Sequence, residues 1–267
     1  MPEVTARGLR FHVQESGTGP PVVVFVHGLA VDNLSTFYCS LAPPVAEAGT
    51  RCVLYDLRGH GRTERPPTGY GVADAVADLF AVLDALGHDR VHLVANSFGG
   101  VVALNAALTH PGRVAGLVLI DAHGPADGPH WTRNFHNSLA RSALLFEYDR
   151  TADQLASVER RLARLVAHAD ALLNGTTLVD DLAALEPVSP AALATLRCPV
   201  LAFYGQHSDV ADAGRLLVRH VPGCALHTLD GYAHSLLPAG TSEILEVLLP
   251  WLAHHAGTRA PAAGAVR

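Results

Sequence analysis

Apolar runs of five to seven residues alternate with helix-length segments along most of this chain, and this limits its fold more than any other feature. "VVVFVHG" (22–28), "RCVLYDL" (51–57), "RVHLVA" (90–95), "VAGLVLIDA" (114–122) and "CPVLAFYG" (198–205) are apolar throughout rather than at every second position. Strands covered on both faces of a parallel sheet have that character. Between them lie segments such as "VADAVADLFAVLDALG" (72–87), an amphipathic helix with a glycine stop. "EVTA" and "LRFHVQES" around Arg7-Gly8 read as an N-terminal hairpin, and "CALHTLDG" (224–231) as a last strand. A helix is expected near 211–221 and a final one in "SEILEVLLPWLAHH" (242–255). In "STFYCSLAPPVAEAG" (35–49), Pro43-Pro44 should interrupt or kink the helix. The expected architecture is α/β: a mostly parallel, doubly wound sheet of eight strands with helices on both faces.

The alternation lapses between 124 and 190, where two helical stretches have no apolar strand between them. Residues 1–123 and 191–256 are therefore expected to form a core domain and 124–190 a helical cap. The small, unpatterned tail 257–267 is expected to be disordered.

Composition narrows the function classes. Hydrophobic residues make up 49% of the 267 positions and charged residues 16%, enough to bury a large core. A net charge of −6 supplies no basic surface for nucleic acid. No apolar stretch approaches the roughly 20 residues of a membrane span, and "MPEVTARGLRFHV" has no signal-like apolar core, so a cytoplasmic location is expected. Cys39, Cys52, Cys198 and Cys224 lack ligand or redox spacing, so neither a disulfide nor a metal site is expected, and no cofactor is implied. All 19 residues in the Lys+Arg count are Arg; with abundant Ala and Gly, this points to a high-GC bacterial genome.

In a parallel sheet, ligands and reactive groups gather at the carboxyl ends of the strands. Four expected strands end suggestively here: His27-Gly28-Leu29, Asn96-Ser97-Phe98, Gln206-His207-Ser208-Asp209 and Tyr232-Ala233-His234. Ser97, at the strand-to-helix reversal, could cap the helix or be displayed as a nucleophile. A serine, an acid and a histidine at the same sheet edge favour the second reading.

These motifs, in this order, resemble the α/β-hydrolase superfamily over about residues 8–255. That family's nucleophile elbow is G-x-S-x-G and its triad runs Ser, Asp/Glu, His. The first elbow position is Ala95 rather than Gly, a methyl the turn should tolerate, while Gly99 and Gly100 keep the far side open. The resemblance implies Ser97 as nucleophile, His234 as base and Asp209 as the orienting acid. Asp121, at the end of "LVLIDA", is a competitor because some members place the acid there; Asp212 is a weaker one. Backbone N–H groups of Leu29 and Phe98 would form the oxyanion hole. His27, Gly28 and Asn96 would support the site from behind, and Asp56, Arg58 and His60 in "YDLRGHGRT" (55–63) would build a bracing turn.

Within the cap, Trp131, Phe135 and Leu139 form one helical stripe, expected to pack the cap onto the core, with Trp131 and Phe135 lining a substrate pocket. The Asn-Ser-Phe-Gly-Gly elbow is similar to that of the meta-cleavage-product C–C hydrolases. The oxyanion loop "HGLAVDN" and Ser235 after His234 depart from them, since they have Ser/Gly-Pro-Gly and Trp there. Ser97 in place of an Asp nucleophile excludes epoxide hydrolases and haloalkane dehalogenases. The leading expectation is a cofactor-independent serine hydrolase of an ester, lactone or thioester. Its small-molecule acyl substrate could be bound to CoA or a carrier protein in bacterial secondary metabolism. C–C bond hydrolysis is the enzymatic alternative and a ligand-binding receptor the non-enzymatic one; acyl transfer and haloperoxidase-like chemistry use the same triad.

Overall fold

The computed structural model describes residues 3–122, 163–164, 167–234 and 236–256. Its strands are β1 (Glu3–Ala6), β2 (Leu9–Ser16), β3 (Val22–Val26), β4 (Arg51–Tyr55), β5 (Val91–Asn96), β6 (Val114–Ile120), β7 (Val200–Gly205) and β8 (Ala225–Leu229). They form one sheet in the order β1-β2-β4-β3-β5-β6-β7-β8. The β1–β2 and β2–β4 pairs are antiparallel, and from β4 to β8 every pair is parallel.

The described helices are α1 (Ser35–Tyr38), α2 (Ala42–Glu47), α3 (Val72–Leu86), α4 (Phe98–Thr109), α5 (Leu178–Ala183), α6 (Pro190–Leu193), α7 (Ala211–His220) and α8 (Leu237–His255). They cover the sheet on both faces, which is why the central strands are apolar at every position. Val24, Val26, Leu93 and Leu117 pack with Leu79 of α3 and Val102 of α4. Their neighbours Val23, Phe25, Val94 and Val118 point the other way, into a second core with Phe37 of α1 and Ile244 and Leu248 of α8. Gly87 ends α3 as expected, at φ 77°, its N–H bonding back to the carbonyls of Leu83 and Asp84.

Pro43 and Pro44 interrupt the helix rather than kink it: they lie in the first turn of α2, where a missing N–H costs nothing, so two short helices replace one. Two other boundaries differ from the sequence reading. The last helix begins at Leu237, not Ser242, with Pro238 in its first turn and a non-helical break at Gly240 (φ −97°, ψ 15°). β7 starts at Val200, because Pro199 cannot donate to the ladder and offers only its carbonyl, to the N–H of Leu117.

Residues 168–181 seat on the loop after β4, at the carboxyl edge of the sheet. His168 Nε2 lies 3.0 Å from the Gly59 carbonyl, the Tyr70 N–H donates to Asp181 (2.8 Å), and the Thr177 N–H donates to the Pro67 carbonyl (3.0 Å). Leu172 and Leu178 are buried there. Among the described residues no helix is long and apolar enough to cross a membrane.

One buried polar group lies near the amino end of β5. His92 of β5 packs edge-on against Trp251 of α8 (ring centroids 6.0 Å apart), and neither ring nitrogen has a hydrogen-bond partner among the described residues. Gly116 on β6 makes room: a methyl there would lie 2.6 Å from the imidazole and 2.7 Å from the indole. Burial, reinforced by His255 and Arg90, holds the His92 pKa down at about 4. Because the folded value lies below the unfolded one (about 6.5), the unfolded chain binds more protons between these values. Stability is therefore complete above pH ~6.5 and falls as pH drops towards 4. We expect urea midpoints of the wild type to decline over that range and those of His92→Leu to decline less; parallel declines would contradict this account.

Candidate active site

β5 ends at Asn96 and α4 begins at Phe98, leaving one residue for the whole reversal. That residue, Ser97, is held at φ 52°, ψ −119°, a conformation costing about 1–3 kcal/mol for a residue with a side chain. Its hydroxyl makes no capping bond to α4, so the N-cap reading does not describe it. The turn is possible because the second residue of α4 is a glycine. A methyl on Gly99 would lie 2.1 Å from the Val26 carbonyl oxygen and 2.5 Å from that of His27, both immovable backbone at the end of β3. Ala95, the departure from the elbow pattern, is an ordinary buried strand residue in register with Val26 and Leu119, so its methyl is accommodated.

The loop after β8 brings His234 to this serine. Its Nε2 is 3.1 Å from Ser97 Oγ, and its Nδ1 is 2.6 Å from Asp121 Oδ2. The carboxylate fixes the tautomer: Nδ1–H donates to Asp121, leaving the Nε2 lone pair to accept the Ser97 proton.

The acid bound to His234 is Asp121, not the expected Asp209. Asp121 directly follows β6, is fully buried, and has φ 45°. Its N–H donates to the Phe203 carbonyl (2.7 Å), Oδ1 accepts from the Gly205 N–H (3.0 Å), and Oδ2 accepts from the Ser208 hydroxyl (2.6 Å) as well as from His234. The end of β7 thus spends its donors on Asp121. Asp209, one residue further round that turn, stops 3.9 Å from His234 Nδ1, beyond hydrogen-bond reach. Asp212 pairs with Arg215 on the surface.

The loop after β3 approaches the serine from the other side. A methyl on Gly28 would be 3.3 Å from Ser97 Cβ and 3.6 Å from Asn96 Nδ2. Two buried histidines brace this loop. His27 lies with Nδ1 2.7 Å from the Gly28 carbonyl and accepts the Leu57 N–H at Nε2 (2.9 Å). His60 Nδ1 faces the Arg58 carbonyl (2.8 Å), and its Nε2 accepts the N–H of Ala30, itself at φ 62°. Burial, then the neighbouring His27, lowers the His60 pKa to about 3, which keeps its acceptor nitrogen unprotonated. Leu29 and Phe98, the expected oxyanion residues, line one cavity of about 20 Å³ together with Leu57, Tyr70 and Leu178.

Asp56 anchors the loop after β4, accepting the N–H groups of Leu34 and Arg62 and facing His12 Nδ1 at 2.8 Å. Arg58 forks onto buried Asp78 through two 2.8 Å bonds. Two contributors escaped the sequence reading. Asp32 accepts the Gly28 N–H (2.6 Å), and Ser208 steadies Asp121. Both stand inside stretches already singled out, "HGLAVDN" and Gln206-His207-Ser208-Asp209, but only folding assigns them partners. Trp131, Phe135 and Leu139 lie outside the described residues. Among the described residues no cluster of three or more His, Cys, Asp or Glu could hold a metal ion.

A family model for the alpha/beta hydrolase fold matches residues 21–218. The chain belongs to the α/β-hydrolase family. The match takes in Ser97, Asp121 and Asp209; His234 lies beyond it. A 2-hydroxy-6-oxo-2,4-heptadienoate hydrolase of Pseudomonas putida is 36% identical over 165 residues, 58% of this α/β-hydrolase and 59% of the relative. Curated relatives of this rank are matched over only about half of their length. A 2-hydroxy-6-oxononadienedioate/2-hydroxy-6-oxononatrienedioate hydrolase of Burkholderia vietnamiensis is 27% identical over 245 residues, 85% of each chain. The solved structure of Est816, described as an N-acyl homoserine lactone degrading enzyme, superposes with a TM-score of 0.71 at 27% identity, covering 94% of this chain and all of Est816.

The elbow yields a direct test. Gly99→Ala forces a methyl against the backbone carbonyls of Val26 and His27, and overpacking of this kind costs about 1–3 kcal/mol. We expect a lower melting temperature together with slower labelling of Ser97 by a fluorophosphonate. Wild-type values for both would show that the close approach does not shape the elbow.

Proposed function

We propose that this protein is a serine hydrolase that cleaves carboxylic esters and lactones through an acyl-enzyme on Ser97. The observation carrying this reading is the continuous hydrogen-bonded chain Ser97–His234–Asp121 on a strained elbow. A serine hydroxyl alone is a weak nucleophile at neutral pH. Here Nε2 of His234 is placed to take its proton as Oγ bonds to the acyl carbon. Asp121 holds the ring in register and balances the positive charge that appears on it. Backbone N–H groups of Leu29 and Phe98 are assigned to the developing oxyanion. The proton on Nε2 then passes to the departing alkoxide; the same nitrogen next takes a proton from the attacking water and returns it to Ser97 Oγ as the bond from Oγ to the acyl carbon breaks and the acid leaves. A lactone differs only in that its alcohol stays tethered. Similarity to Est816 over nearly the whole chain supports the lactone arm.

C–C bond hydrolysis is the second reading, favoured by the two dienoate hydrolases among the relatives. The oxyanion loop sets it second, because "HGLAVDN" departs from the Ser/Gly-Pro-Gly loop of that group.

A substrate panel separates the two. Steady-state rates with p-nitrophenyl esters, acyl lactones, an acyl-CoA thioester and a dienone acid should favour esters or lactones, with a burst of p-nitrophenol. Ser97→Ala should lower turnover by roughly 10⁴–10⁶-fold. Preferential turnover of the dienone would establish the second reading instead, and a fully active Ser97→Ala variant would overturn both.

A further inference from the structure

Two carboxylates face His234, and the triad uses one of them. Asp121 is locked: it is fully buried, and both of its carboxylate oxygens are engaged. Asp209 is not. Its Oδ1 is shielded from solvent, has no hydrogen-bond partner among the described residues, and points at His234 Nδ1 from 3.9 Å. A shielded carboxylate oxygen without a donor is costly. It is tolerable where a positive charge forms beside it, and the nearest place for one is the imidazole that Ser97 would protonate.

We propose that Asp209 is a second positioning carboxylate for His234, one that gains its partner only when the ring becomes imidazolium and that can hold Nδ1–H if Asp121 is lost. Against neutral His234, Asp209 gains little. Against the imidazolium it gains a full opposite charge at close range. An interaction stronger in the transition state than in the ground state raises kcat and leaves KM alone. The geometry suits a reserve acid as well. Asp121 and Asp209 follow adjacent strands, β6 and β7, and both carboxylates lie on the Nδ1 side of the ring. A small rotation of His234 towards Asp209 would shorten 3.9 Å to a hydrogen bond without moving either strand.

This inference rests on Ser97 being the nucleophile, so the test reads Ser97 reactivity without presupposing a substrate. The full chain and its Asp121→Asn, Asp209→Asn and doubly substituted variants are compared by their rate of inactivation with a fluorophosphonate across pH, and by kcat and KM on the best ester. Among the described residues, the charged groups facing the ring are Asp121 from the end of β6 and Asp209 from the loop after β7; Ser97, from the end of β5, is neutral. Asp209→Asn should lower kcat about tenfold with KM unchanged, and should move the acid limb of the inactivation profile to lower pH, because a negative charge beside the imidazolium is gone. On the Asp121→Asn background the same substitution should cost a further 100-fold or more. Asp209→Glu on that background should retain more activity than Asp209→Asn.

Equal fold-losses from Asp209→Asn with and without Asp121, or an unmoved acid limb, would overturn the proposal. Should Asp209→Asn unfold the protein, seen as a collapsed melting temperature, Asp209→Ser carries the same comparison. Labelling that persists in Ser97→Ala would instead overturn the nucleophile assignment itself, a result distinct from any outcome at Asp209.

Discussion

A single residue carries the reversal from β5 into α4, and the rest of the site is arranged around what that demands. Ser97 can hold a positive φ only because its surroundings leave the backbone no other course. β5 is locked between β3 and β6, and α4 is buried almost along its whole length. Gly99 lets the first turn of that helix press against the carbonyls of Val26 and His27. The same contact that strains the serine brings the loop after β3 beside it. The strained serine and the loop after β3 beside it are therefore products of one close approach rather than separate features.

Around this point the polar groups are satisfied in nested layers. Buried His27 and His60 act as acceptors of backbone N–H groups, holding the turn at Gly28–Ala30. Asp56 ties the neighbouring loop to Leu34 and Arg62. The acid side is built in the same manner, with Gly205 and Ser208 of the β7 turn fixing Asp121 before it meets His234. Such pre-set dipoles need little reorganisation when charge appears, and most of the catalytic advantage of sites of this type comes from that. Asp209 stands outside the pattern. Its half-buried side chain, with an Oδ1 that has no hydrogen-bond partner among the described residues, contrasts with the fully engaged Asp121.

Much of the fold was legible because it follows from local rules. Strands buried on both faces must be apolar at every position, so the five central strands could be read in order, and Gly87 could be read as a helix stop. The misread boundaries all involve proline or glycine near a helix or strand start. Pro199 and Gly240 each admit two local outcomes, and packing chose between them. The placement of Ser97 and His234 was legible for a similar reason: Ser97 directly follows β5 and His234 lies in the short loop after β8, and a strand's end has a fixed place in a parallel sheet.

The choice of acid was of another kind. Asp121 and Asp209 both follow strands that end at the same edge, and sequence order allows either. Which one meets His234 depends on where a four-residue turn after β7 directs Gly205 N–H and Ser208 Oγ, and on a strained φ at Asp121. The sequence by itself determined the doubly wound sheet, the elbow and the candidates at its carboxyl edge, since periodicity and strand order are properties of the chain read along its length. Only the tertiary structure decided the hydrogen-bonded partners, because a difference between 2.6 and 3.9 Å arises from the packing of neighbouring strand ends and leaves no mark in the linear order.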